Sequence, residues 1–528
     1  MAFTFQINNN VAFKHDQRLI DKADMFKPQL YKQKIGAKSL VALNNDASFL
    51  EGVGIKRVDD IQNLASHQLT RDQKIILDFG DHQVGKFSVD ISSAGSPMDA
   101  PLFCKFKFAE MPAELAHKSS DYDGWLSKSW IQEEYIHIDE LPTRLVLPRR
   151  YSFRYVEITV LDTSPKWQAV FDHPLVDTET SADLSQVTTP QLNDPELEKI
   201  YQVGVKTLAD CMQNVFEDGP KRDRRLWIGD LRLQALANYA TFRDRDLVKR
   251  CLYLFGAMTA SDGRVPANVF TTPNYVPDDT FLFDYSLFFI SILADLETFQ
   301  MDQTVLDDLY PIAKQQMDLS LERVNRSGKL VLDDDYPVFI DWSNDFDKET
   351  AGQAVLIYVL RQFIDLAQQK SDEDLDKYRV VLEKMIQYSK TSLYDPSRGL
   401  FISGNNHEIN IASQVWMVLA KVMDSDTNQQ IMQRTCDDLF PIRGIATPYM
   451  YHHVTEALFQ TGLRDQAIDL LKDYWGTMIK LGADTYWEAF EPEKPDYSPY
   501  GSPILNSYCH AWSCTPVYLI QKYLTKGM

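Results

Sequence analysis

The sequence predicts a molecule in two parts. An N-terminal β-sandwich over residues 1–180 is followed by an (α/α)6 barrel, six helical hairpins closed in a ring, over residues 190–528. Three observations lead there. The chain has 528 residues, more than one hydrophobic core ordinarily organises. Apolar residues alternate with period two through its first third. From about residue 195 onward the apolar spacing becomes helical, and the candidate helices come in pairs.

The alternation is explicit in several runs. Phe87, Val89 and Ile91 interleave with Lys86, Ser88 and Asp90, and Cys104, Phe106 and Phe108 interleave with Lys105 and Lys107. The same period recurs in WIQEEYIHI and YSFRYVEITV, with turns such as SSAGSP between the runs. Short strands at this spacing predict a sandwich. The polar stretches DTSPKWQ and DTETSADLS lead out of it. Asp194 then reads as an N-cap, with Pro195 in the first turn where a proline is tolerated. Leu356, Leu360, Phe363 and Ala367 share one helical face, as do Ile468, Leu471, Trp475 and Ile479. The spacing predicts helices over 195–215, 229–243, 245–261, 281–299, 303–324, 351–369, 373–392, 409–424, 426–438, 447–461, 464–480 and 503–525. Twelve helices make six hairpins.

Composition narrows the function. Apolar residues are 44% and charged residues 24% of the chain, the balance of a globular protein. No apolar run reaches the ~18 residues a membrane span needs. The net charge of −21 argues against nucleic acid, anionic membranes and polyanionic substrates as partners, and leaves small neutral ligands. The N-terminal MAFTFQINNNVAFKHD lacks the pattern of a secretory leader. The six cysteines are scattered without metal spacing, which fits reduced thiols in the cytoplasm. No cofactor or metal motif stands out, and LDDDYP reads as a solvated loop.

The longest joins between helices, 216–228, 262–280, 325–350, 393–408 and 481–502, are rich in aromatic and acidic residues rather than filler. Long joins of that kind point to function, and in a hairpin barrel alternate joins gather at one mouth. Sugar recognition calls for flat aromatic faces, carboxylates and arginine forks, and glycoside hydrolysis adds a pair of carboxyl groups. The joins supply Asp218, Asp223 and Asp230 around Trp227, then Asp341 beside Trp342, and Tyr486 and Trp487 beside Glu488. Nucleophile elbows, P-loops, HExxH and dinucleotide fingerprints are absent.

DGPKRDRRLWIGD, from Asp218 to Asp230, resembles the signature of the bacterial α-L-rhamnosidases, glycoside hydrolase family 78. GADTYWEAF, SYCHAWSCTPVYL and, more loosely, FIDWSNDFDKE resemble three further blocks of that family in the same order, and ILDFGDHQVGKFSVDI fits its β-domain. The resemblance implies a six-hairpin glycosidase barrel with Asp223 as general acid and Glu488 as general base. It implies inversion of configuration, with the two carboxyls roughly 6.5–9.5 Å apart. Asp218, Arg222, Asp230 and His510 match hydroxyl-binding positions, and Trp227 and Trp342 match aromatic walls. Asp341 and Trp487 join the substrate-binding candidates.

Three departures accompany the likeness. The acid is Asp where Glu is usual, in a motif one residue shorter. Arg222, Arg224 and Arg225 crowd a group that must hold a proton. The C-terminal β-domain common in the family is not expected after His510. The expected activity is an inverting, exo-acting, cytoplasmic α-L-rhamnosidase on small glycosides or oligosaccharides, with homo-oligomerisation open. The alternatives are a glycosidase of the same barrel for another deoxy or L-sugar, and a binding protein without catalysis. Glu110 reads as a surface carboxylate or as one that reaches the barrel mouth.

Overall fold

The computed structural model describes residues 11–333 and 335–525. The first ten residues, where the leader pattern was looked for, and Asp334 of the LDDDYP run lie outside that set. The chain enters through a helix, α1 (Gln17–Met25), in a region expected to hold only strands. Asp16 caps it by accepting from the amides of Arg18 and Leu19, at 2.9 and 3.3 Å. Leu19, Ile20 and Ala23 are its buried face. Its partner lies in the barrel, so the period-two pattern of the sandwich does not apply to it.

Ten antiparallel strands follow: β1 (Tyr31–Gly36), β2 (Ser39–Asn45), β3 (Val53–Asp60), β4 (Gln68–Leu69), β5 (Lys74–Gly95), β6 (Leu102–Ala109), β7 (Glu133–Ile138), β8 (Thr143–Val146), β9 (Tyr151–Asp162) and β10 (Trp167–Thr180). β5 is long enough to serve two layers. Its first part pairs with β2 and β9, and its later part with β8 and β10. β9 continues to β6 and β7, while β10 continues to β1. Phe87 on the later part of β5 packs its ring 5.5 Å from Phe108 and 6.1 Å from Phe106 on β6. The inward residues of each alternating run thus meet in one buried core with Val89, Ile91, Phe153 and Ile158. A short helix, α2 (Pro112–Ala116), leaves β6 and carries the buried Glu114.

Twelve helices build the second part among the described residues: α3 (Pro195–Cys211), α4 (Ile228–Ala240), α5 (Arg245–Ala257), α6 (Phe283–Phe299), α7 (Gln303–Leu321), α8 (Glu349–Gln369), α9 (Leu375–Tyr388), α10 (Ile411–Leu419), α11 (Ser425–Leu439), α12 (Pro448–Gln460), α13 (Arg464–Lys480) and α14 (Pro516–Leu524). The even-numbered helices pack in sequence, α4 on α6, α8, α10, α12 and α14, and α14 returns to α4 to close the ring. They are buried almost all round, and every residue of α4 is buried, as an inner helix requires. The outer helices are amphipathic; α9 buries only Tyr378 and Met385. α1 packs on α5.

The last helix is much shorter than the expected 503–525. Pro516 opens it, and the chain before it makes two 3-10 turns, Pro503–Leu505 and Ala511–Ser513. Joins from inner to outer helices are three to five residues long, whereas joins from outer to inner helices are the long aromatic ones, the eight residues between α11 and α12 excepted. The inner N-termini and the long joins therefore share one mouth.

The sandwich docks there. Glu110 is buried between the domains, accepting from Ser152 Oγ at 2.6 Å and from the amide of Tyr508 at 2.7 Å. His82 Nδ1 meets Asp210 Oδ2 at 2.6 Å, and Lys206 donates to the His82 carbonyl at 2.6 Å. Glu114 pairs with Lys221, whose ammonium also donates to the Asn506 carbonyl at 2.8 Å. Burial makes such charges costly unless paired, and each one here has its partner across the interface.

Candidate active site

At the barrel mouth Leu126, Asp218, Arg222, Asp223, Trp227, Asp230, Leu282, Tyr285, Phe339, Trp342, Glu488, Tyr500, His510 and Trp512 line one pocket, apolar and aromatic walls around a few convergent polar groups as in small-molecule sites. The join before α4 supplies the acidic side. Asp218 organises that join from within: Oδ2 accepts from the amide of Asp223 at 2.9 Å and Oδ1 from that of Arg225 at 3.0 Å. Its own carbonyl accepts from the amide of Ala511 at 3.0 Å, tying the join to the His510 turn. Burial, then the charge of Asp223, pushes the Asp218 carboxyl up to about 7.

Glu488 faces the pocket from the join before α14. Arg222 Nη2 donates to Glu488 Oε2 at 2.6 Å, and Tyr500 Oη donates to Oε1. Burial alone would raise this carboxyl. The Arg222 and His510 charges and the Tyr500 hydroxyl outweigh it and hold the group below the usual glutamate range. Arg222 also lies 4.0 Å from the centre of the Tyr500 ring and donates to the Leu505 carbonyl. Its other terminal nitrogen, Nη1, stands 3.8 Å from Asp223 Oδ1. One guanidinium therefore spans the space between the two carboxylates.

His510 Nε2 lies 3.0 Å from Asp230 Oδ1, while Nδ1 has no hydrogen-bond partner among the described residues. Burial disfavours the imidazolium, but the Glu488, Asp230 and Asp218 charges prevail and raise His510 above its ordinary value. Burial raises Asp230 despite His510 beside it. Aromatic edges complete the walls: Trp227 meets Tyr285 at 6.3 Å, and Trp342 meets Phe339 at 5.4 Å and Tyr500 at 5.9 Å.

The arginines that crowd Asp223 in sequence are drawn away from it in space. Arg224 (φ 62°) donates to the carbonyls of Pro220 and Arg150, at 2.9 and 2.8 Å. Arg225 lies over the Phe270 ring at 4.2 Å. Arg222 alone stays close, and its short contact is to Glu488.

Two candidates fall outside the pocket. Asp341 turns back from Trp342 and accepts from the amides of Ser343, Ala446 and Thr447, at 2.7, 2.9 and 3.1 Å, and from the Thr447 hydroxyl. It fastens the start of α12, with its lone pairs committed. Trp487 packs against Phe490 and Tyr508 in the core, each ring 5.4 Å away. Trp487 is thus committed to the core while its neighbour Glu488 faces the pocket. Conversely, Tyr500, Tyr285, Phe339, Leu282 and Leu126 line the pocket without having stood out in the sequence. Trp512 lay in the His510 block, two residues from the histidine, and was the one a closer look at that block would have found.

One group among the described residues has metal-like spacing: His82, Asp210 and Cys509, with ligand atoms within 4.8 Å of one another. Lys206 already holds Asp210, and both ring nitrogens of His82 have protein partners. That donor set does not suit a cation, and it lies at the domain contact rather than among the pocket residues. No described helix is long and apolar enough to cross a membrane.

A closed ring of six hairpins with paired carboxylates in an aromatic pocket defines a six-hairpin glycosidase. Residues 185–524 match the bacterial alpha-L-rhamnosidase six-hairpin glycosidase domain, and residues 37–178 match the family 78 alpha-rhamnosidase N-terminal domain. The chain belongs to glycoside hydrolase family 78. A rhamnosidase from Klebsiella oxytoca, solved with rhamnose bound, is 43% identical over 97% of this chain and 100% of its own, with a TM-score of 0.94. The family 78 rhamnosidase of Bacillus sp. GL1 shares the fold at 19% identity and a TM-score of 0.72, over 89% of this chain and 49% of its own. No curated protein matches.

Proposed function

We propose that the chain is an inverting exo-α-L-rhamnosidase in which Asp223 protonates the leaving oxygen and Glu488 activates the attacking water. The observation that carries this reading is the Arg222 bridge. Glu488 is kept ionised by Arg222 and Tyr500, as a base requires, with Asp223 at the other end of the same guanidinium. The spacing is also compatible. Contacts of 2.6 and 3.8 Å to one guanidinium keep these oxygens within about 9 Å of each other, inside the upper limit of the inverting range.

Asp218, Arg222, Asp230 and His510 supply hydroxyl partners, with His510 Nδ1 directed to substrate, and Trp227 and Trp342 wall the ring. The rhamnose in the Klebsiella relative supports the sugar. A compact pocket with largely buried walls supports release of one terminal residue. Six free thiols support a reducing compartment such as the cytoplasm.

Asp223→Asn and Glu488→Gln should each lower turnover of 4-nitrophenyl α-L-rhamnoside by about 10²–10⁴-fold while leaving thermal unfolding in place. Proton NMR of the reaction should show β-rhamnose first. Wild-type rates in both variants would refute the assignment of roles, and α-rhamnose appearing first would refute inversion.

A further inference from the structure

The pocket is graded from its floor to its opening. Asp218, Arg222, Asp230, Glu488 and His510 are all buried, whereas Leu126, Asp223, Trp227 and Trp342 are the partly exposed members of the lining. The acid of the proposed pair is therefore at the open side and the base lies deeper. A general acid faces the oxygen of the departing group, so that group must occupy the open side. Leu126 belongs to the β-domain, not to the barrel.

Leu126 sits in a loop, residues 117–132, that is fixed against the barrel join 499–505. Tyr122 and Ile131 form a small core with Ile504 and Leu505. The amide of Leu126 donates to Tyr122 Oη at 3.1 Å. Gly124 lies so near the Tyr500 carbonyl that a Cβ there would stand 2.1 Å from it. Beside it Trp125 is 50% exposed, its ring 5.5 Å from that of Tyr500, and its Nε1 donates to the Pro499 carbonyl at 3.0 Å.

We infer that this loop forms the leaving-group site, with Leu126 as its inner edge and Trp125 as a stacking platform, and that it selects a flat, apolar leaving group such as an aromatic aglycone. The inference rests on the rhamnosidase reading above. The indole N–H is held by Pro499, so Trp125 recognises through its face. Asp223 is the one charged member of the partly exposed lining, beside Leu126, Trp227 and Trp342. A sugar leaving group would need several hydrogen-bond partners where this rim offers mostly apolar surface, whereas an aromatic ring gains from stacking.

The test compares Trp125→Ala and Trp125→Phe with wild type on 2-naphthyl α-L-rhamnoside, methyl α-L-rhamnoside and a rhamnosyl-glucose disaccharide, together with inhibition by free L-rhamnose. Trp125→Ala should lower kcat/KM for the naphthyl substrate about five- to tenfold, chiefly through KM. It should leave the methyl substrate and rhamnose inhibition within twofold. Trp125→Phe should restore most of the loss. An equal loss on all substrates, no loss on any, or a loss largest on the disaccharide would each overturn the inference. A wild-type protein that cleaves none of the three would instead overturn the rhamnosidase reading, and this inference with it.

Discussion

Gly124→Ala tests how the β-domain supports catalysis. The added Cβ would lie 2.1 Å from the Tyr500 carbonyl oxygen and 2.6 Å from the Tyr122 hydroxyl, where ordinary contact begins near 3.4 Å. One side must give way by about 1 Å, and overpacking of this kind costs about 1–3 kcal/mol. If Tyr500 moves, Glu488 loses a hydrogen-bond donor, and a hydrogen bond to a charged group contributes about 1.5–3 kcal/mol. A misplacement of ~1 Å near reacting groups is itself worth ~10²-fold in rate. The expected result is a loss of kcat/KM of about 10–100-fold on 4-nitrophenyl α-L-rhamnoside, together with a lower thermal midpoint. Steady-state kinetics and a melting curve measure both. Activity within twofold of wild type at an unchanged midpoint would show that the contact does not hold Tyr500, and the reasoning would fail.

Tyr500→Phe removes one of the groups that keep Glu488 ionised. The Glu488 carboxyl then rises, so the acidic limb of the pH–rate profile should move to higher pH, with the alkaline limb in place. The stability that this depressed carboxyl contributes in wild type is present above its unfolded value and is lost as pH falls through the folded one. The variant should therefore gain less stability on going from acid to neutral pH. A superimposable pH–rate profile would contradict the role given to the hydroxyl. Glu114→Gln takes the nearer carboxylate from the buried Lys221 and leaves Glu110 Oε2 at 3.8 Å, and urea unfolding should show a loss approaching the ~3–5 kcal/mol of a broken buried pair. A loss under ~1 kcal/mol would mean that Glu110 and the Asn506 and Ile504 carbonyls satisfy the ammonium without Glu114.

Local pattern carried much of the fold. The helix expected over 464–480 is α13 residue for residue, and the one over 195–215 ends four residues early. Both depend on caps and apolar spacing, which act within a few residues. The expected helix over 503–525 fails because its first half is an inner wall of the site. The amides of His510 and Ala511 donate there to the carbonyls of Tyr486 and Asp218, partners hundreds of residues distant in the case of Ala511. α1 escaped notice for a related reason, since its apolar face is answered by α5.

The residue types of the site were legible in the joins because sugar chemistry demands them in clusters. What sequence by itself determined was which segments form helices and strands and which joins carry carboxylates, arginines and aromatic rings. The tertiary structure alone decided which side chains converge. It committed Asp341 to the amides that open α12 and Trp487 to the core beside Phe490 and Tyr508, and brought Tyr500 and the β-domain's Leu126 in. It also drew Arg224 and Arg225 off Asp223 toward carbonyls and a ring on other segments. Charge near a residue in sequence is a matter of chain order, whereas the field it feels depends on distances that only packing sets.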